Sequence, residues 1–329
     1  MAENEKTGIN AKGVLYIVAA AFFWGIMPMF AKLALNSGAD GLTSAVMRAY
    51  VAAVLYIAYG LITGAFKRFS PRHIPFFLLN GFCSITVLYI GYLKALEYIP
   101  AAMASALVYT APGFVILFSR VIYKEPITKV KAAAVALTFI GCMLVVKLYN
   151  PASVSANLKG ILLALAGGIG YSTLTLFGRR GLARYDAQIN AIMPAIGGAL
   201  CCFFFKPPWE IRITNLNMVI AFIGLGVLGG FLPFLLYLRG MRCGVEGGNA
   251  SVIATLEPVI TTVAGVVIYN ERLEIWQYIG MATVITGVLL PLISASVEQR
   301  RRNEEKEKVL SEKPVENQES YGNLTRKEV

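Results

Sequence analysis

Long apolar runs separated by short polar connections fill most of the chain. Ten of them, near residues 13–35, 43–63, 74–93, 101–122, 129–148, 159–178, 187–205, 215–237, 248–269 and 274–294, approach the length of about 20 residues that a spanning helix needs. A barrel strand would be about half as long and would alternate apolar with polar positions. These runs do not alternate, so the pattern predicts helices. The connections leave no room for a separate soluble domain. The predicted class is an all-α polytopic membrane protein with ten transmembrane helices. The first run outlasts the h-region of a secretory signal and lacks a small-x-small cleavage site, so it is expected to stay as the first helix.

Composition agrees. Of 329 residues, 57% are hydrophobic and 15% charged, against about 45–50% and about 25% in a soluble domain. The mean hydropathy is +0.62. A net charge of +11 would first bring a polyanion partner to mind, but its location argues otherwise. The tail from 295 to 329 holds eight basic and eight acidic residues and contributes no net charge. The surplus sits in loops after even-numbered helices: Lys67, Arg68 and Arg72, then Lys124, Lys129 and Lys131, then Arg179, Arg180 and Arg184, then Arg239 and Arg242. This positive-inside bias places both termini in the cytoplasm of a multi-pass cell-membrane protein. Nucleic acid is not an expected partner. The tail is expected to be disordered, since it is too polar to bury a core.

Compared with itself at a shift of 146, the chain pairs Ala104-Ser105 with Ala250-Ser251, Pro112 with Pro258, Glu125 with Glu271 and Gly141 with Gly287. A shift of 147 pairs Lys12-Gly13 with Lys159-Gly160, Trp24 with Tyr171 and Phe30 with Phe177. The chain therefore divides into a cytoplasmic N-terminus (1–12), a first five-helix repeat (13–148), a second (159–294) and the tail (295–329). Because five is odd, the second repeat enters the membrane from the opposite side. Two inverted five-helix repeats around a central site are the usual construction of a secondary transporter.

Few polar residues lie inside the spans. Glu257, beside Pro258, is a carboxylate at a depth where charge costs roughly 2.5–3.5 kcal/mol. It is either a substrate or proton-coupling site, or a hydrogen-bonding contact between the halves. Its repeat counterpart is Ala111. Trp24, Tyr89, Tyr92, Tyr109, Tyr171 and Tyr237 form an aromatic set suited to lining a polar pocket, or else to interface belts and packing. Arg48 either snorkels to the outer surface or pairs with Glu97 or an anionic substrate. Pro28, Pro112, Pro194, Pro233 and Pro258 mark sites where helices bend. The five cysteines lack metal-ligand spacing and read as packing residues, and His73 reads as a solvated loop residue. No P-loop pattern is present, and no cofactor is expected.

The stretch Ala104-Ser105 … Pro112 … Lys124-Glu125-Pro126 … Gly141, recurring as Ala250-Ser251 … Leu256-Glu257-Pro258 … Asn270-Glu271-Arg272 … Gly287, resembles the EamA-type repeat of the drug/metabolite transporter superfamily. Arg48 matches the family's usual arginine in the second helix, while the second repeat has Ala195 there. The resemblance implies a central cavity bounded by helices 1, 3, 4, 6, 8 and 9. It implies a lining of Trp24, Tyr89, Tyr92, Ser105, Tyr109, Tyr171, Thr175, Tyr237, Asn249 and Glu257. It further implies export or exchange of a small metabolite, such as an amino acid or a related amphipathic compound, by alternating access. The partners are then a small-molecule substrate and the lipid bilayer, and a homodimer is compatible with this. An intramembrane enzyme would need clustered His, Asp or Cys near the interface, which the chain lacks. A non-transporting scaffold or sensor finds support only in the tail.

Overall fold

The computed structural model describes residues 11–124, 128–145, 147, 151–243, 245, 253–254, 256–270 and 272–311. Among the described residues the chain is helical, with no strand. The helices are α1 (Ala11–Asn36), α2 (Gly41–Ile62), α3 (Pro71–Ala95), α4 (Ala101–Tyr123), α5 (Lys129–Val145), α6 (Pro151–Leu182), α7 (Ala187–Cys202), α8 (Leu216–Met241), α9 (Leu256–Tyr269) and α10 (Ile275–Ser311). Among the described residues, six apolar stretches are long enough to cross a membrane: α1, α2, α3, α4, 157–178 within α6, and α8. Two shorter apolar helices, Ala132–Val145 and Ala187–Cys202, lie in α5 and α7. Apolar side chains such as Leu15, Val54, Leu61, Val121 and Val267 project outward, unburied by protein. That is the surface a bilayer covers.

The helix ends repeat with the sequence. Asp40 caps α2, its carboxylate accepting from the Thr43 amide at 2.6 Å, and Asp186 caps α7, accepting from the Ile189 amide at 3.0 Å. These two aspartates are 146 residues apart. Lys124 follows α4 at φ 56° and Asn270 follows α9 at φ 52°, again 146 apart. Both take the left-handed conformation that ends a helix. These two helix ends directly precede Glu125 and Glu271, the pair related by the same shift. The two glutamates lie outside the described residues.

Helix contacts come in mates under exchange of the halves. α1 packs on α8 as α6 packs on α3; α2 packs on α8 as α7 packs on α3; α1 meets α9 as α6 meets α4. Two pairs are their own mates, α2 with α7 and α5 with α10. In the second pair a Cβ at Gly141 would stand 2.6 Å from the Gly280 carbonyl, and one at Gly287 would stand 2.9 Å from the Ala134 carbonyl. The chain rises along α5 as it falls along α10, so these equivalent helices are antiparallel. Only a residue without a side chain admits backbones this close.

Pro112 and Pro233 sit beside departures from α-helical geometry, while Pro28 and Pro194 lie inside uninterrupted helices. α4 is interrupted at Tyr109–Thr110, immediately before Ala111–Tyr123 resumes. α3 and α8 each contain a π-helical segment, Gly81–Thr86 and Leu225–Phe231. Two expectations differ from the structure. The tail does not become irregular at 295: α10 continues to Ser311, and residues 312–329 lie outside the described residues. Glu298/Arg302, Arg300/Glu304, Arg301/Glu305 and Glu304/Lys308 stand four apart, a spacing that supports a polar helix. His73 is not simply solvated. Its Nδ1 lies 2.6 Å from the Tyr185 hydroxyl, and its Nε2 lies 3.1 Å from Arg184 Nη1. The first turn of α3 folds onto the connection between α6 and α7, and this contact is what half-buries the ring.

Candidate functional site

Both repeats contribute to one central cavity. Its polar groups arise from positions where helices approach or break. α1 and α9 come close at Gly25, where a Cβ would stand 2.6 Å from Ile260, and the Thr261 hydroxyl donates to the Gly25 carbonyl at 3.1 Å. This contact holds α9 against α1, and Glu257 lies in the first described turn of α9. Across the seam, the break in α4 turns Tyr109 toward it. The Tyr109 hydroxyl donates to Glu257 Oε2 at 2.6 Å, joining the first repeat to the second. Glu257 therefore faces the cavity and makes the hydrogen-bonding contact between the halves weighed for it in the sequence.

Arg48 also lines the cavity. It neither snorkels outward nor pairs with Glu97, for its side chain is 5% exposed and turned inward. Lys94 holds Glu97 instead, at 3.1 Å. The Arg48 guanidinium stacks over the Tyr89 ring, with 3.9 Å from Cζ to the centroid. Nη2 donates to the Gly229 carbonyl at 2.8 Å and Nη1 approaches the Met27 sulfur at 3.8 Å, while Nε is buried without a partner. Among the described residues, no ion pair joins Arg48 to Glu257. The cavity thus presents a carboxyl group and a guanidinium with no direct ion pair between them.

Aromatic rings form the remaining walls. Trp24 meets Phe234 edge-on at 5.1 Å, and Tyr109 meets Tyr171 edge-on at 6.4 Å. The Tyr92 hydroxyl and Ser105 Oγ are 2.9 Å apart. Trp24, Tyr89, Tyr92, Ser105, Tyr109, Tyr171 and Glu257 are all brought to the cavity, together with Arg48 of α2. Tyr237 stands behind this wall, 6.0 Å from the Trp24 ring. Thr175 belongs to α6, but its side chain lies outside the described residues, as does the whole of Asn249. Six apolar wall residues were not anticipated: Met27, Ile85, Leu88, Val108, Leu174 and Phe234. Each lies three or four positions from an anticipated one, such as Met27 from Trp24 or Leu88 from Tyr92, so helical spacing would have found them. Among the described residues, no group of three or more His, Cys, Asp or Glu side chains gathers as a metal site would require.

Comparison with known proteins follows the same lines. A solved structure covering 89% of this chain and 99% of its own aligns with a TM-score of 0.60 at 20% identity, a likeness of fold. An uncharacterized transporter of Archaeoglobus fulgidus is 26% identical over 282 residues, covering 84% of this chain and 95% of the relative. An uncharacterized inner membrane transporter of Salmonella typhimurium, YicL, is 21% identical over 301 residues, covering 90% and 98%. The model of the EamA-like transporter family matches twice, over residues 11–147 and 158–293. A multi-pass helical membrane protein whose sequence carries that unit twice, in line with relatives named as transporters, belongs to the EamA-like transporter family.

Proposed function

We propose that this membrane transporter is a secondary exporter or exchanger of a small zwitterionic or amphipathic metabolite, such as an amino acid or a related compound. Ten helices cross the cell membrane as two inverted five-helix halves, with both termini in the cytoplasm. The cavity opens alternately to either side. The relative named for the inner membrane supports this location. The antiparallel packing of α5 on α10 supports the inversion.

The observation that carries the proposal is the pairing of Glu257 and Arg48 as separate, opposite charges in one aromatic cavity. A zwitterion places its ammonium near Glu257 and the tyrosine faces, and its carboxylate near Arg48. A site with charges at both ends rejects molecules that lack either charge, because it leaves a buried charge uncompensated.

Counterflow of labelled amino acids in proteoliposomes tests this, with and without a proton gradient. Flux is expected for zwitterions and not for the matching amines or acids. If Glu257 couples protons, Glu257→Gln loses its response to the gradient. Equal flux with and without the gradient, unaffected by Glu257→Gln, overturns proton coupling. Absence of zwitterion flux overturns the substrate class.

A further inference from the structure

We propose that the connection between α7 and α8 is a membrane anchor, its aromatic rings seated in the headgroup region of the bilayer. Its partner is lipid. Arg180 and Arg184 precede α7 and this connection follows it, so the anchor lies at the end of the molecule away from the basic loops. The inference stands apart from the substrate reading above.

The local sequence explains why the helix stops here. A shift of 146 matches Cys202, the last residue of α7, with Tyr56, from which α2 runs on to Ile62. In the second repeat Phe203-Phe204-Phe205-Lys206-Pro207-Pro208-Trp209 replaces those turns. The Phe203, Phe204 and Phe205 amides donate to the carbonyls of Leu200, Cys201 and Cys202 at 3.2, 3.2 and 3.0 Å. The Lys206 amide donates to the Cys202 carbonyl at 3.0 Å. Pro207 and Pro208 have no N–H and stop the winding. The chain closes through the 3-10 turn Pro208–Glu210, where the Glu210 and Ile211 amides donate to the Pro207 and Pro208 carbonyls at 3.1 and 3.2 Å. These donors are met without water. The last carbonyls of a helix call for donors from outside it, which the headgroup region offers and the hydrocarbon core does not.

The side chains form an ordered apolar surface. Phe204 is 91% exposed and Trp209 75%, with Phe203 and Phe205 exposed as well. Trp209 packs edge-on against Phe203 at 5.2 Å, and Phe203 packs edge-on against Tyr50 of α2 at 6.0 Å. Lys206 is the one cation between 203 and 211, and it is drawn onto the start of α2. Its Nζ reaches Asp40 at 3.5 Å and the Thr43 hydroxyl, and its carbonyl accepts from the Tyr50 hydroxyl at 2.8 Å. Exposed charge begins at Glu210 and Arg212. The apolar surface therefore ends at an indole, the ring enriched where bilayer meets water. To either side Leu200 of α7 and Leu216 and Ile220 of α8 are also exposed. α8 is long and apolar enough to cross a membrane, so side chains there face lipid. A protein cover over the rings would have to stop beside these leucines, whereas a bilayer covers both.

The opposite end of the same helix pair is held differently. There the connection from α2 into α3 carries Lys67, Arg68 and Arg72, and Arg68 pairs with Asp186 at the start of α7. One membrane surface is met by charge and the other by rings. Because Lys206 and Tyr50 join the anchor to α2, the rings set the depth of both α2 and α7.

Fluorescence of Trp209 in lipid vesicles tests this. The chain has three tryptophans, and Trp24→Phe with Trp276→Phe leaves that one alone. Its emission is expected to lie to the blue of free tryptophan. Phosphatidylcholine brominated near the glycerol should quench it most, bromination near the chain ends less, and aqueous iodide least. The difference between the unmutated protein and Trp209→Phe reads the same quantity with Trp24 and Trp276 in place, so the result does not hang on the double variant folding. Adding Phe204→Ser and Phe205→Ser should move the emission to the red and raise quenching by iodide. Strong iodide quenching of Trp209 without those two changes overturns the anchor and puts the loop in water. Quenching by neither bromine nor iodide also overturns it, and assigns the rings to a second copy of the chain. Strongest quenching by bromine near the chain ends overturns the headgroup depth. None of these outcomes bears on zwitterion flux, so the two readings fail separately.

Discussion

Asp40 and Asp186, 146 residues apart, cap α2 and α7 in the same way, whereas Glu257 and Ala111, related by the same shift, have nothing chemical in common. The frame of the molecule and its cavity follow different rules. Caps, left-handed helix ends and the glycine contacts of α5 with α10 recur in both halves, because two shapes of equal quality demand equivalent parts. The cavity breaks that equivalence with a carboxylate from one half and an arginine from the other. On the proposed reading, symmetry would let the halves exchange roles, and asymmetry would give the substrate one orientation. If this division is right, damage to the cavity removes transport and spares the fold, while damage to the frame does the reverse.

The largest effect is expected at the cavity. Glu257→Ala copies the residue of the first repeat and removes both the cavity anion and the acceptor of the Tyr109 hydroxyl. Losing a charge-assisted contact of this kind is worth about 1.5–3 kcal/mol, so flux should fall roughly ten- to a hundredfold. The buried Tyr109 hydroxyl also loses its acceptor, so the thermal midpoint should fall too, and Glu257→Gln, which keeps an acceptor there, is the variant expected to lose flux with little change in midpoint. Flux near the unmutated level would show that the asymmetry is incidental.

Next comes the frame. Gly141→Ala forces a methyl group to within 2.6 Å of the Gly280 carbonyl, and should lower stability by about 1–3 kcal/mol. Gly178→Ala in α6 is the matched control, because nothing lies within 4 Å of its Cβ position. It should be neutral or slightly stabilising. Thermal melts in nanodiscs separate the two. Equal midpoints would mean that the α5–α10 contact is not a tight part of the frame.

The frame was legible in the sequence because it is written twice. Asp40 and Asp186, or Gly141 and Gly287, identify themselves by recurrence. The charged and aromatic wall was legible for a different reason: Glu257 and Trp24 are costly or unusual at mid-membrane, so they call for an explanation. What the sequence could not show depends on tertiary distance. The inward turn of Arg48 follows from Gly229 and Met27, which belong to other helices. The π segments in α3 and α8 carry no local signature beyond glycines and a nearby proline. The helical start of the tail was misjudged by counting charge and ignoring its four-residue spacing.

The smallest effect concerns the two ends of the α2–α7 pair. Each capping aspartate also meets a cation beyond the far end of the other helix: Asp186 with Arg68, and Asp40 with Lys206 at 3.5 Å. Asp40→Ala and Asp186→Ala should each cost about 0.5–2 kcal/mol, and by similar amounts if the ends are equivalent. Asp40→Asn keeps a good cap and removes only the charge, so it should cost well under about 1 kcal/mol for so exposed a pair. For Asp40, burial works to raise the carboxyl pKa. The hydrogen bonds from Thr43 and the charges of Lys206 and Lys94 outweigh it and hold the value below its ordinary 3.8. A depressed folded value stabilises above the unfolded pKa and stops doing so as pH falls through the folded one. The stability gap between the unmutated protein and Asp40→Asn should therefore be constant near neutrality and close only below pH 3.8. Melts at stepped pH measure it, and a gap that closed near pH 6 instead would point to a different group at that end.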